Sequence, residues 1–231
     1  MPNEDGSWPR TFLINLASRT DRLESVTAEL TRANVEWERF DGHTAETSAT
    51  LGIVPADDMR GRELTSGDLG CVGSHLAIFR LIVESGLPGG LILEDDLLIV
   101  DDFRERVLSA LRRRRPDTMV VQLGWLRYDH NVQIQMKNAA YKLKKKERRD
   151  RLIVAPFAFG SHCYWVSSEF AKRSIERMTP PYAPIDLMTE DIRWQENLVF
   201  EQCWPPLAVQ NTSASDITNR RTHGVEKRPR W

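Results

Sequence analysis

The chain has 231 residues and a mass of 26.6 kDa. Its apolar share is roughly 45% once Gly is counted and Tyr is not, a globular composition that excludes wholesale disorder and collagen-like or low-complexity repeats. Lys and Arg number 32 against 33 Asp and Glu, a net charge of −1, so the global charge points to neither nucleic acid nor an anionic membrane.

A chain of this length buries a sizeable core without staples. At about 150 residues per domain, one domain is expected. Three scattered cysteines (Cys71, Cys163 and Cys203) form neither a disulfide framework nor a CxxC zinc motif, and they fit a reduced, cytoplasmic compartment. The polar opening Met-Pro-Asn-Glu-Asp-Gly is not a signal peptide, and residues 1–10 read as a flexible leader. The most apolar stretch, Leu91 to Val100, is short and split by carboxylates, so no segment is expected to span a bilayer.

Thr11 to Leu16 is a short apolar run and reads as a buried strand. Asp21 with Glu24 gives a capping-box signal, after which Leu23, Val26, Leu30 and Ala33 recur at helical spacing. Residues 41–64 read as a loop with small elements. Thr65 or Ser66 is expected to cap a second helix carrying Leu69, Val72, Leu76, Phe79 and Val83, stopped at Gly86-Leu-Pro-Gly-Gly90. Leu91 to Leu93 then forms a strand that runs into Glu94-Asp95-Asp96. Asp102 is expected to cap a third helix, and Met119 to Leu123 to form another strand. This alternation predicts a mostly parallel α/β sheet with helices on both faces.

Residues 126–151 are polar and basic, with Lys142, Lys144, Lys145, Lys146, Arg148, Arg149 and Arg151 close together. They read as an insert, either a solvated charged segment or a contact for a polyanion. Leu152 to Ala155 and Cys163 to Val166 are expected strands, and Ser168 opens a helix. Thr179 to Pro184 reads as a rigid linker, with a short helix from Asp186. Leu207 to Gln210 is a last extended piece, and residues 218–231 form a basic tail.

The sharpest chemical feature is Leu91-Ile-Leu-Glu-Asp-Asp96. Ligands bind at strand ends in α/β sheets. Three adjacent carboxylates repel one another there, and a hard divalent cation relieves the repulsion. Oxygen-only ligands favour Mg²⁺ or Mn²⁺, which complete their shells with substrate phosphates. The alternative is a solvated acidic turn. In Gly67-Asp-Leu-Gly-Cys-Val-Gly-Ser-His75, helical glycines each cost about 1 kcal/mol relative to Ala. Close backbone packing or a ligand near Gly70, Ser74 and His75 must offset that. Asn15, Arg19 and Arg22 follow the first strand and suit a nucleotide's phosphates, or else a helix start with surface arginines. Asp186, Glu190 and Asp191, and separately Asp216, can each supply a general base or a helix cap.

Taken together these blocks resemble glycosyltransferase family 25, the group of lipopolysaccharide galactosyl- and glucosyltransferases and collagen galactosyltransferases. The matching segments are Phe12 to Leu16 with Arg22, Asp41-Gly42, Leu64 to His75, Leu91 to Asp96, Gly160 to Trp165 with Ala171-Lys172, Pro184-Ile-Asp186, and Gln210 to Ile217. Their order and spacing hold over residues 11–217, the expected catalytic domain. The resemblance implies a GT-A-like fold and inverting transfer of a hexose, galactose before glucose, from a UDP-sugar. It implies Mn²⁺ or Mg²⁺ at Asp96 and Glu94. Asp95 and Glu94 would also contact the sugar nucleotide, with Asn15, Arg19, Arg22, Gly70, Ser74, His75 and His162 as further donor-site residues. Asp186 is the first candidate base, with Asp216 and Glu190 as rivals. The expected acceptor is a bacterial surface glycan or lipid-linked precursor. A modified DNA base or a protein is the alternative acceptor, and a catalytically silent binding protein the alternative role. The basic stretch Lys142 to Arg151 departs from the family pattern and reads as a solvated charged segment, or as a contact for an anionic membrane, at the inner face, or another polyanion.

Overall fold

The computed structural model describes residues 7–56, 64–125, 151–156 and 159–211. The insert up to residue 150, the tail, Asp216 and the first six residues of the leader lie outside the described residues. Strand β1 (Thr11–Asn15) is buried nearly throughout, as its unbroken apolar run requires. Helix α1 (Thr20–Arg32) follows and turns Val26 and Leu30 inward. It begins one residue before the expected cap: Arg19 occupies the cap position without a side-chain hydrogen bond, and Asp21 sits in the first turn paired with Arg19. The stretch read as a loop with small elements holds helix α2 (Ala45–Thr50), opened by a Thr44–Thr47 capping box, and follows strand β2 (Glu38–Asp41).

Helix α3 (Ser66–Glu84) starts at the expected Thr65, whose hydroxyl accepts from Asp68 N while the Asp68 carboxylate accepts from Thr65 N. It ends where Gly86 takes a φ of 64°, a left-handed conformation that suits glycine. Among the described residues α3 is the one helix long and apolar enough to cross a membrane, but its apolar window is 56% buried within the protein. It packs against α2 and the later helices α5 (Ser168–Arg177) and α6 (Ile185–Gln195). The remaining elements are β3 (Gly89–Glu94), β4 (Leu97–Ile99), α4 (Phe103–Arg113), β5 (Thr118–Gln122), β6 (Arg151–Val154), β7 (Cys163–Ser167), β8 (Val199–Trp204) and β9 (Ala208–Gln210). Asp102 precedes α4 as expected but makes no cap bond; its carboxylate faces Arg106 at 3.5 Å.

The central sheet runs β2-β1-β3-β7-β5-β8-β6. Five of its seven strands point the same way, and only β7 and β6 are reversed. The expected mostly parallel α/β architecture is therefore present, as a mixed sheet. One face packs under α3, α5 and α6 through Phe12, Leu76, Phe79, Phe170 and Met188. The other packs under α1 and α4 through Leu13, Leu30, Leu93, Phe103 and Val107. The small β4–β9 ribbon sits just past the end of β3.

Candidate active site

Parallel pairing of β1 with both β2 and β3 brings Asn15 and Glu94 to the same end of the sheet. The chain after Glu94 turns sharply into β4, and that turn presents Asp95 and Asp96. Each carboxylate meets a different environment.

Asp95 is anchored. Asn15 Nδ2 donates to its Oδ2 at 2.7 Å, and Arg22 donates to its Oδ1 at 3.1 Å. Asn15 is oriented in turn by Arg39, which donates to Asn15 Oδ1 at 3.1 Å, and Asn15 Nδ2 also reaches the Arg19 carbonyl. Burial raises the Asp95 pKa, against the pull of Asn15 and Arg22. Arg19 thus meets the site through its backbone, because its guanidinium pairs with Asp21.

Glu94 is held from two sides. Ser161 Oγ donates to its Oε1 at 2.7 Å, and Gln210 Nε2 lies 3.4 Å from its Oε2. Burial acts to raise its pKa, but contacts with His75, His162 and Ser161 outweigh burial and leave it lowered. His75 Nε2 stands 3.5 Å from Glu94 Oε1, and His75 Nδ1 is 2.7 Å from the Tyr164 hydroxyl. His162 lies fully buried, with its carbonyl accepting from Glu94 N at 2.9 Å. Burial lowers its ring pKa, against the opposing pull of Glu94.

Asp96 is the strained member. It is buried, and its Oδ1 has no hydrogen-bond partner. Burial, then the charges of Glu94 and Asp95, push its pKa up to about 7. An orphaned buried carboxylate oxygen beside two further acids is the chemistry of a cation ligand. The residues present therefore fit a divalent ion held by Asp96.

The glycines of α3 have a packing explanation. A Cβ on Gly70 would stand 2.4 Å from the His43 carbonyl oxygen, and one on Gly73 would stand 2.0 Å from Ser48 Oγ. Ser74 ties the same junction, accepting from His43 N at 2.8 Å and donating to Gly70 O at 2.7 Å. Gly70 and Ser74 thus seat α3 against the His43 turn. His75, one residue on, does face the carboxylates.

Among the candidate bases, Asp186 opens α6 and is half-buried. Its Oδ2 faces Gly160 N at 3.4 Å, beside the Ser161 that binds Glu94. Glu190 lies one turn on and is committed elsewhere: Arg193 and Trp194 donate to its carboxylate at 2.5–3.0 Å. That buried pair is a fold contact, and Arg193 also donates to the carbonyls of Ala155 and Pro156. Asp216 lies outside the described residues. Ser161, Gln210, Tyr164 and Cys71 are site neighbours to which residue patterns assign no role. A cleft of about 680 Å³ at the opposite end of the sheet, lined by Pro88, Leu111, Arg114 and Trp165 among others, contains none of these carboxylates.

The chain is 29% identical over 228 residues to the inactive glycosyltransferase 25 family member 3 of Homo sapiens, spanning 89% of this chain and 37% of that protein. It is 30% identical over 172 residues to procollagen galactosyltransferase 1 of Danio rerio, spanning 70% of this chain and 27% of that protein. The chain therefore spans about a third of the length of these curated relatives. Among solved structures, mouse xyloside xylosyltransferase 1 in its apo form is a distant likeness, with a TM-score of 0.41 and 10% identity over 84% of this chain and 78% of that one. Residues 9–189 match glycosyltransferase family 25 (LPS biosynthesis protein), and across that span, most of its length, the chain belongs to that family.

Proposed function

We propose that the chain is a metal-dependent, inverting hexosyltransferase. It moves galactose, in preference to glucose, from a UDP-sugar to a hydroxyl of a bacterial surface glycan or its lipid-linked precursor. The observation that carries this reading is the buried, unpartnered Oδ1 of Asp96 in the turn that follows a parallel strand, beside two further carboxylates. Asp96 would hold Mn²⁺ or Mg²⁺ directly, with Glu94 beside it. A bound divalent ion stabilises the negative charge that builds on a departing nucleoside diphosphate. Asp95 is kept in place by Asn15 and Arg22 and orients the donor. Arg22, a cation at the rim of the motif, adds to the compensation of the leaving charge.

Inversion needs one displacement. The acceptor oxygen forms a bond to C1 as the bond from C1 to the diphosphate oxygen breaks, and the acceptor proton passes to a carboxylate on the far face. Asp186 is our choice for that carboxylate. It is tied to the 160–161 segment that also positions Glu94, so base and donor motif share one support. The free cysteines fit a cytoplasmic setting. Similarity to a procollagen galactosyltransferase favours a second acceptor class, a protein hydroxyl, with the same donor chemistry.

The test is release of UDP from UDP-galactose by the purified chain offered glycan and peptide acceptors. Release is expected to need Mn²⁺ or Mg²⁺ and to be lost in Asp96→Asn. Carbon-13 NMR of the product should show the opposite anomer to the donor. Turnover unchanged by chelation, or retained in a folded Asp96→Asn variant, would overturn the reading. A folded chain inert with every donor and acceptor would make it a silent relative, like the inactive member it resembles.

A further inference from the structure

Cys71 and His75 stand one turn apart on α3, and both reach the Glu94 carboxylate at the end of β3. A sulfur, a ring nitrogen and a carboxylate oxygen from these three residues all lie within 4.8 Å of one another. His75 is 0% exposed, and its Nε2 makes no hydrogen bond. Its Nδ1 is 2.7 Å from the Tyr164 hydroxyl, and the two rings stack with centroids 5.7 Å apart. A second contact of this kind fixes the orientation and tautomer of a metal-bound imidazole. With the phenol oxygen accepting from Nδ1–H, Nε2 is left as the acceptor nitrogen of the ring, 3.5 Å from Glu94 Oε1.

We propose that Cys71, His75 and Glu94 form a second cation site, separate from Asp96, that takes Zn²⁺ in preference to Mn²⁺ or Mg²⁺. A donor set of sulfur, nitrogen and oxygen is the set zinc accepts, whereas the harder ions prefer oxygen alone. Glu94 serves the two sites by different oxygens. Its Oε1 faces His75, and its Oε2 turns to Gln210, whose side chain also bonds Asp96. Cys71 is half-buried, so water can complete the fourth position. On binding, the Cys71 S–H bond breaks, its proton passes to solvent, the sulfur lone pair forms the S–Zn bond, and nothing is oxidised or reduced. The three side chains draw together as the ion enters.

Co²⁺ serves as the spectroscopic probe. Titration of the purified chain is expected to show one equivalent bound with a near-ultraviolet thiolate-to-cobalt charge-transfer band. Added Zn²⁺ should abolish that band by displacement, while Mn²⁺ and Mg²⁺ should not. Cys71→Ser should remove it. Asp96→Asn keeps all three ligands and should retain it, which separates failure of this site from failure of the donor site. Tyr164→Phe keeps the ligands but loosens the imidazole, and Zn²⁺ affinity should fall about 10–100-fold. No thiolate band in the folded wild-type chain, or a band surviving in Cys71→Ser, overturns the assignment. Should Cys71→Ser fail to fold, the wild-type titration and Tyr164→Phe still decide it.

Discussion

Asp96 binds a proton more tightly in the folded chain than a solvated aspartate does, and that has a measurable consequence for stability. Its pKa rises from an ordinary 3.8 to about 7, by burial and then by Glu94 and Asp95. Between those values the folded state keeps a proton that the unfolded state releases. Asp96 therefore contributes stability below about pH 4 that is lost as pH rises through about 7. Without divalent ions, Asp96→Asn should melt higher than wild type at pH 8 and no higher at pH 4. A gain of about 1 kcal/mol corresponds to about 2–4 °C at this chain length. Thermal melts at both pH values check it, and equal shifts at both would contradict it. Arg22 and Asp95 form a pair with side chains only 11% and 9% exposed. Arg22→Met strands a buried carboxylate and should cost roughly 3 kcal/mol in urea unfolding. Arg115→Ala, from a pair 53% exposed on both sides, should leave the urea midpoint nearly unchanged. The three acids were legible in the sequence because they interrupt an apolar strand. Ser161 and Gln210 were not: they meet Glu94 across 67 and 116 residues of chain, and a lone Ser or Gln carries no pattern.

At the scale of elements, α3 shows what local sequence can and cannot say. Its start, its stop and its inward stripe follow from Thr65, Gly86 and the spacing of Val72, Leu76 and Phe79. The reason for its glycines lies in another element, the His43 turn, so spacing alone left packing and ligand as rivals. Gly70→Ala adds helix propensity worth about 1 kcal/mol. Its Cβ would nonetheless meet a backbone oxygen at 2.4 Å, which cannot swing aside. The net effect should be destabilising by about 1–3 kcal/mol, read as a lower urea midpoint. A higher midpoint would contradict the packing account. Strands β2, β4 and β8 escaped the sequence reading for related reasons. The first is a polar strand at the sheet edge, the second has three residues, and the third carries buried Glu201 and Gln202 within its apolar run. Glu201 accepts hydrogen bonds from the distant Thr118 hydroxyl and Arg115 N. Pairing partners far along the chain make such strands, and local propensity does not record them.

Across the whole molecule, the sheet order gathers the site. Strands β1 and β3 lie side by side although about 75 residues of chain separate them, and β7 runs back along β3 to bring the 160–162 segment over Glu94. The α/β class followed from alternating patterns; the reversed β7 and β6 did not, because strand direction depends on connections the pattern leaves open. The basic run Lys142 to Lys146 offers a further test at this scale. If it meets a polyanionic surface, binding to vesicles rich in anionic lipid should weaken steeply with salt. It should fall further when Lys142, Lys144, Lys145 and Lys146 are replaced by Gln. Salt-independent binding, or none, would remove that role.

The central claim is that the acidic turn after β3 is a metal-dependent donor site. Calorimetric titration of wild type and Asp96→Asn with UDP-galactose, with and without Mn²⁺, tests it most directly. The account predicts saturable binding by wild type with Mn²⁺, little without it, and little by the variant in either condition. Equal binding with and without the ion, or undiminished binding by folded Asp96→Asn, would contradict it.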